Sequence, residues 1–275
     1  MNEKISRNPV EAIDQISLLG YKGLLVVGDV HGNLDGLLKA INHANQNKLF
    51  MVFLGDVCDY GAYTLETTQR VAELVFANEA LCIRGNHEKK VAKILLDLRD
   101  KGSTASRISH GNDVTLDALQ ELSDGNRTEW ERMFFRFVDA CPDWQEIGNY
   151  LFVHGAASLS MFGDETFRAK KNSHKESFAQ YGETTGEFVD GYPIRVYGWT
   201  NREVPDGKTV VVGHDIRSTE APLVIENAEG GEVIFLDTGS SKGGILSWMD
   251  LQFGPNEDFT GVELYGRRFM NENDL

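Results

Sequence analysis

Leu24-Leu25-Val26-Val27-Gly28-Asp29-Val30-His31-Gly32-Asn33-Leu34 decides how the rest of the chain is read. Four successive apolar residues give the pattern of a buried strand, and Gly28 ends it. Asp29 and His31 follow on the turn, and Leu37, Leu38 and Ile41 then recur at helical spacing through Leu34 to Ala44. The unit is strand, loop, helix, with a carboxylate and an imidazole where the buried strand gives way to the loop. Moving outward, Phe50 to Leu54 leads into Gly55-Asp56-Val57-Cys58-Asp59 and a helix from about Leu65 to Ala77. Ala80 to Ile83 leads into Gly85-Asn86-His87-Glu88 and a helix over Lys89 to Leu98. Repeated strand–helix alternation predicts an α/β layer architecture.

From Asp100 to Asp143 the texture changes. Leu116, Leu119 and Leu122, then Trp130, Met133, Phe134 and Phe137, recur every three or four residues, which predicts a helical insertion. Strand patterns return at Tyr150 to Val153, Thr209 to Val212, Glu232 to Leu236 and Ile245 to Met249, separated by glycine-rich turns, and are expected to complete a second sheet. Two of these strands deliver further histidines, at Val153-His154-Gly155 and Val212-Gly213-His214. One catalytic domain is expected over residues 1–275. Its core lies at about 20–99, 148–156 and 206–252, its helical insertion at about 100–147, and a polar, loop-rich cap at about 157–205.

A length of 275 residues with 41% hydrophobic content suffices for one large core. The net charge of −15 opposes long-range attraction to nucleic acid backbones and anionic membranes. A phosphate substrate is still compatible, because bound divalent cations make a site far more positive than the average surface. Three cysteines, Cys58, Cys82 and Cys141, show no CxxC spacing, so neither a disulfide framework nor a zinc knuckle is indicated, and cytoplasmic residence is expected. Met1 to Ser17 lacks the apolar core of a signal peptide, and no apolar run approaches the roughly 18 residues of a membrane span.

The five motifs read as one two-metal site. Asp29 and His31 face a first cation, which Asp56 shares with a second, while Asn86, His154 and His214 complete the second. Oxygen and neutral imidazole ligands together favour manganese, with iron, zinc or nickel as alternatives. Two such ions about 3.5–4 Å apart can share a hydroxide and hold a phosphoryl group for in-line attack. His87, fixed beside a ligand without being one, suits the general acid, and Asp59 would orient it. His43, His110 and His174 lie outside such contexts and read as ordinary side chains.

At these residues the chain resembles the calcineurin-like metallophosphoesterases, in the branch that holds phosphoprotein phosphatases and diadenosine tetraphosphate hydrolases, over roughly Lys22 to Asp250. The resemblance implies a four-layer α/β/β/α sandwich with a helical and loop insertion capping the site. It implies ligand roles for Asp29, His31, Asp56, Asn86, His154 and His214, and the acid role for His87 with Asp59. Downstream, Tyr181 to Glu187, Leu236-Asp237-Thr238-Gly239 and Gly243-Gly244 resemble the phosphatase module of bacterial polynucleotide kinase-phosphatases, although no GxxxxGK[ST] loop is present. Asp237 would then orient the histidines of the second metal.

One departure matters. The second motif reads Asp59-Tyr60-Gly61 where the family has Asp-Arg-Gly, so the arginine that clamps the substrate phosphate is missing. Tyr60, Arg84 and Asn86 are the expected phosphate contacts, with Arg195 or Arg202 as other sources of charge. The basic stretch Arg168, Lys170, Lys171, His174 and Lys175 reads as a solvated face, and Tyr197 and Trp199 read as core aromatics. The expected activity is hydrolysis of phosphate monoesters, on nucleic-acid end phosphates or nucleotides first. Serine/threonine or tyrosine phosphoproteins come next, a dinucleoside polyphosphate third, and a catalytically silent phosphate-binding module last.

Overall fold

In the computed structural model, which describes residues 5–6, 8–166, 168–189, 192–255 and 262–274, the first strand, β1 (Gly23–Val27), is buried at every position. Its alternate residues enter different cores: Leu25 and Val27 join one apolar cluster, Leu24 and Val26 another. A strand covered on both faces has no polar side, which is why its sequence is an unbroken apolar run. Beside β1 lie β2 (Leu49–Phe53) and β3 (Ala80–Cys82), both parallel to it in sequence along the sheet.

The outer face of this sheet is covered by helices. α2 (Leu34–Asn47), α3 (Thr64–Phe76) and α4 (Asn86–Lys101) follow the three strands, and α5 (Asn112–Gln120) and α6 (Asp124–Ala140) pack beside them. α1 (Pro9–Leu18) instead contributes Ala12, Ile13 and Ile16 to the cluster on the inner face. That inner cluster also receives Phe152 from β5 (Tyr150–Val153), Val211 from β8 (Thr209–Val212) and Ile234 from β10 (Glu232–Phe235). These strands form the second sheet, completed by β4 (Trp144–Ile147) and β9 (Leu223–Glu226). Its far face buries Val153, Val210, Val212 and Phe235 against Phe178 of α7 (His174–Tyr181) and Trp199 of α8 (Trp199–Arg202). The layers are helices, sheet, sheet, helices. Among the described residues no helix is long and apolar enough to cross a membrane.

Several elements differ from the sequence expectation. β11 (Ser247–Pro255) does not extend the second sheet; it pairs antiparallel with β1, Trp248 opposite Val27, and β12 (Val262–Asn271) pairs with it in turn. The glycine turn at 242–244 carries the chain from one sheet to the other, and a strand's pattern does not say which edge it joins. The helical segment ends at Ala140, so 144–147 is strand; α4 begins at Asn86, three residues before the apolar spacing becomes visible. The stretch read as loop-rich contains α7, α8 and a hairpin of β6 (Glu183–Val189) with β7 (Tyr192–Val196). Residues 1–4 and 7 of the leading segment, and 167, 190 and 191 of the cap, lie outside the described residues.

Candidate metal centre

β1, β2 and β3 run parallel to one another in one sheet, and β5, β8 and β10 do so in the other. The chain leaves β1 toward Asp29 and His31, β2 toward Asp56 and Asp59, and β3 toward Asn86 and His87. It leaves β5 at His154, β8 at His214 and β10 at Asp237. The carboxyl ends of parallel strands are where an open α/β sheet presents its binding crevice. His31, Asp56, Asp59, Tyr60 and His214 all have positive φ, between 47° and 74°, so five of the ten such non-glycine residues described carry their backbone cost here. Two glycines permit the close approach. A Cβ on Gly213 would meet Asp29 Oδ1 at 2.3 Å, and one on Gly85 would meet Asp56 Oδ1 at 2.2 Å.

Hydrogen bonds fix the imidazoles with one nitrogen facing inward. His31 Nδ1 donates to the Cys58 carbonyl at 2.8 Å and His154 Nδ1 to the Leu54 carbonyl at 2.7 Å. Each Nε2 then offers a lone pair. His31 Nε2 lies 3.7 Å from Asp29 Oδ2 and 3.8 Å from Asp56 Oδ2, and His154 Nε2 lies 2.9 Å from Asn86 Oδ1 and 3.3 Å from Asp56 Oδ2. Acceptors thus converge on acceptors, an arrangement that a cation relieves. Among the described residues, the buried atoms His31 Nε2, Asp56 Oδ2 and Asp237 Oδ2 have no hydrogen-bond partner, which fits ligand atoms for ions rather than structural groups. Two sets, His31 with Asp56 and His87, and Asp56 with His154 and His214, each gather their donor atoms within 4.8 Å. Asp56 belongs to both.

Electrostatics agree with the donor set. Burial, with Asp237 and Asp56 nearby, pushes the Asp29 carboxyl well above the usual range, so this crowd of carboxylates lacks positive charge. Burial also opposes ionisation of Asp56, but His154 and His87 outweigh it and hold this carboxyl well below the ordinary value. Burial holds His31 and His214 well below the normal imidazole range, keeping both neutral as metal ligation requires. Burial would lower His87 too, yet Asp56 and Asp59 prevail and raise it, favouring the protonated form. Its Nδ1 donates to Asp59 Oδ2 at 2.6 Å.

Three supporting residues gave no signal in sequence. Asp59 also accepts from Asn112 Nδ2 and, at 2.5 Å, from Thr115 Oγ1, both on α5, and its own N–H donates to Thr64 Oγ1 at 2.8 Å. Glu88, visible only as the last letter of its motif, accepts from the backbone N–H groups of Gly85, Asp56, Val57 and Cys58 at 2.7–3.3 Å. Asp29 receives the His214 N–H at 3.0 Å, joining the first motif to the last across the two sheets.

The expected phosphate contacts are rearranged. Arg84 is buried and bonded to Asp143 and Glu176, so its charge is neutralised within the protein instead of reaching the cluster. Arg202 pairs with Glu183 at 2.9 Å. Arg195, on β7, is the arginine that meets a cluster histidine: its Nη2 donates to His214 Nε2 at 2.8 Å and its Nη1 to the Tyr181 carbonyl at 2.6 Å. The Tyr60 ring stands edge-on to His31 at 4.8 Å, with Lys242 Nζ 4.7 Å from its centroid. His43 is tied to Asp250 at 2.7 Å, away from the site.

Residues 23–229 match the family model for calcineurin-like phosphoesterases. The chain belongs to that family. This calcineurin-like phosphoesterase is 28% identical over 236 residues to the bis(5'-nucleosyl)-tetraphosphatase PrpE (asymmetrical) of Bacillus subtilis, covering 81% of this chain and 88% of that one. It is 25% identical over 261 residues to PrpE of Halalkalibacterium halodurans, covering 90% and 97% respectively. In fold it resembles a crystal structure provisionally assigned as a diadenosine tetraphosphatase, with TM-score 0.54, 17% identity and coverage of 91% of this chain and 93% of that chain. A serine/threonine phosphatase from Saccharomyces cerevisiae gives TM-score 0.50 at 18% identity, over 89% and 79%. Family and donor set together make this phosphoesterase a metal-dependent hydrolase with a dinuclear, divalent site.

Proposed function

We infer that this hydrolase cleaves an internal phosphoanhydride of a bis(5'-nucleosyl) tetraphosphate, releasing a nucleoside triphosphate and a nucleoside monophosphate. The observation that carries this reading is the near full-length match to asymmetrical tetraphosphatases, up to 97% of the relative's length. It reverses the order in which the sequence alone ranks substrates. The structure supports it in one respect: with Tyr60 in the arginine position and Arg84 neutralised by Asp143 and Glu176, neither position presents the bidentate clamp suited to a terminal dianion.

Asp29, His31 and Asp56 would hold one ion, and Asp56, Asn86, His154 and His214 the other. Manganese is the ion this oxygen and imidazole set favours, and three buried free cysteines suit a reducing cytoplasm. When bound, the ions acidify the attacking water and polarise the phosphoryl oxygens. His87, held by Asp59 through Nδ1, presents Nε2 toward the cluster, 3.8 Å from Asp56 Oδ2, and protonates the departing phosphate oxygen. Asp237 lies beside Asp29, where its charge adds to the negative field that a bound cation would offset. Arg195, which donates to His214 and lies 3.5 Å from Asp215, would contact a phosphoryl oxygen from the edge of the cluster.

The test is turnover by manganese-loaded protein on diadenosine tetraphosphate, a 3'-phosphorylated oligonucleotide and a phosphopeptide, with products separated by chromatography. ATP and AMP in equal amounts, at a kcat/KM at least about tenfold above either monoester, is the expected result. Two molecules of ADP, or a preference for the oligonucleotide, would overturn it.

A further inference from the structure

Beside the metal centre runs a groove of about 1550 Å³ between α4, α6 and the segment that precedes α7. Nine lysine and arginine side chains line it against three carboxylates. The whole chain has the opposite balance, with 27 basic and 42 acidic residues, so a third of its cations face this one groove.

Some of these cations have structural duties. Arg84 and Lys89 hold Glu176, and Arg168 bonds to the carbonyls of Val138 and Asp139. Lys93, Arg107 and Lys171 are different, since none makes a salt bridge among the described residues. Arg107 adds repulsion to Lys90, whose ammonium donates to the Ser109 carbonyl at 3.1 Å. Like charges left facing one another across a concave wall raise the local concentration of an anion.

The groove opens at the catalytic end. Lys89 and Lys90 follow His87 and Glu88 directly on α4, and Tyr181, which also lines the groove, has its ring 6.1 Å from that of His214. From Lys89 to Leu96 the helix advances roughly 10 Å, and there Leu96, 39% exposed, and Phe135 supply an apolar strip. Cations followed by an apolar strip match a phosphate chain ending in a nucleoside.

We propose that this groove binds the departing nucleoside polyphosphate of a dinucleoside polyphosphate, its phosphates along Lys93, Arg107 and Lys171 and its distal nucleoside over Leu96 and Phe135. This rests on the tetraphosphatase reading for the identity of the occupant. Length decides between a short polyanion and a polymer. Outside the groove lie 18 of the 27 basic residues and 39 of the 42 acidic ones, so a polynucleotide leaving it would cross a surface of its own sign. A ligand that ends inside the groove avoids that repulsion.

The experiment compares wild type with the triple variant Lys93→Glu, Arg107→Glu, Lys171→Glu, both manganese-loaded. On diadenosine tetraphosphate KM should rise roughly thirtyfold, a few-fold per exposed charge, with little change in kcat. Turnover of p-nitrophenyl phosphate, which does not reach the groove, should stay within about twofold and reports intact folding. Binding of a fluorescent adenosine 5'-tetraphosphate, followed by anisotropy, separates the two claims. If wild type binds it and the variant does not, the groove stands even where diadenosine tetraphosphate is not hydrolysed. An unchanged KM together with unchanged binding overturns the proposal, as does tighter groove-dependent binding of a labelled hexathymidylate.

Discussion

Glu88 is a buried carboxylate that touches no reacting atom yet shapes the site, because the four backbone N–H groups it accepts come from the loops carrying Asp56 and Asn86. An acidic residue in the first turn of α4 would ordinarily be read as helix-dipole complementation; here it also closes the loop of the neighbouring strand. His87 differs from the surrounding imidazoles in its partner. His31 and His154 donate Nδ1–H to backbone carbonyls, and burial holds His31 neutral, whereas His87 donates to a carboxylate and is pushed toward its protonated form. Its contribution should depend on the leaving group: a poor alkoxide leaving group needs the proton, while the phosphate released from an anhydride needs it less. His87→Ala should therefore lower kcat by about 10²–10⁴-fold on an alkyl phosphate and by appreciably less on diadenosine tetraphosphate. Steady-state rates on both substrates measure this, and equal losses would remove His87 from the acid role. The cluster residues were legible because each sits in a short motif where an apolar strand ends. Arg84 illustrates the limit. Its place before Gly85 suggests a phosphate contact, but Asp143 and Glu176, distant in sequence, take its charge.

α5 shows what an inserted element contributes when its sequence carries no motif. Asn112 and Thr115, three apart and so on one face of the helix, both donate to the Asp59 carboxylate, and Thr115 also meets Thr64 at 2.8 Å. The helix thereby orients a carboxylate more than fifty residues earlier. Replacing Asn112 by Ala, or Thr115 by Val, should leave metal content unchanged. It should lower kcat roughly tenfold to a hundredfold with little change in KM, as expected for partners that orient a working group. Metal analysis beside steady-state kinetics checks this; a loss of bound metal would point to general disruption instead. The helical periodicity from Leu116 to Phe137 is plain in sequence, but its target is not, since nothing local records which loop a helix packs upon. The same reason hid the sheet assignment of β11. Its apolar alternation is visible, yet only pairing with β1 places Trp248 in the outer core and Met249 in the inner one. β9 is only half-buried and β6 lies mostly exposed, so neither shows the apolar run that marked the inner strands.

At the scale of the whole molecule, the metal centre is a joint between two sheets. Asp29, His31 and Asp56 come from the first, His154, His214 and Asp237 from the second, and the His214 N–H to Asp29 and His154 Nδ1 to Leu54 carbonyl bonds span the gap. Three carboxylates share this buried space with imidazoles held neutral, which is the charge deficit that raises Asp29. Divalent ions supply the missing positive charge and tie the two sheets through shared ligands, so metal and folding should be thermodynamically linked. A ligand bound only by the native state at a hundred times its Kd adds about 2.7 kcal/mol, and for a domain of this size that corresponds to roughly 5–10 °C in Tm. Chelation should lower Tm by that order and abolish turnover, and readdition of manganese should restore both. Asp56→Asn should reduce the metal-dependent increment most, because Asp56 is the residue common to both donor sets. Thermal unfolding with and without chelator, on protein of measured metal content, makes the comparison. If loaded and stripped protein melt together, the ions are not the joint. The two sheets would then be held by their shared apolar layer of Leu24, Val26, Phe50, Phe152, Val211 and Ile234, with the Asp29–His214 and His154–Leu54 hydrogen bonds.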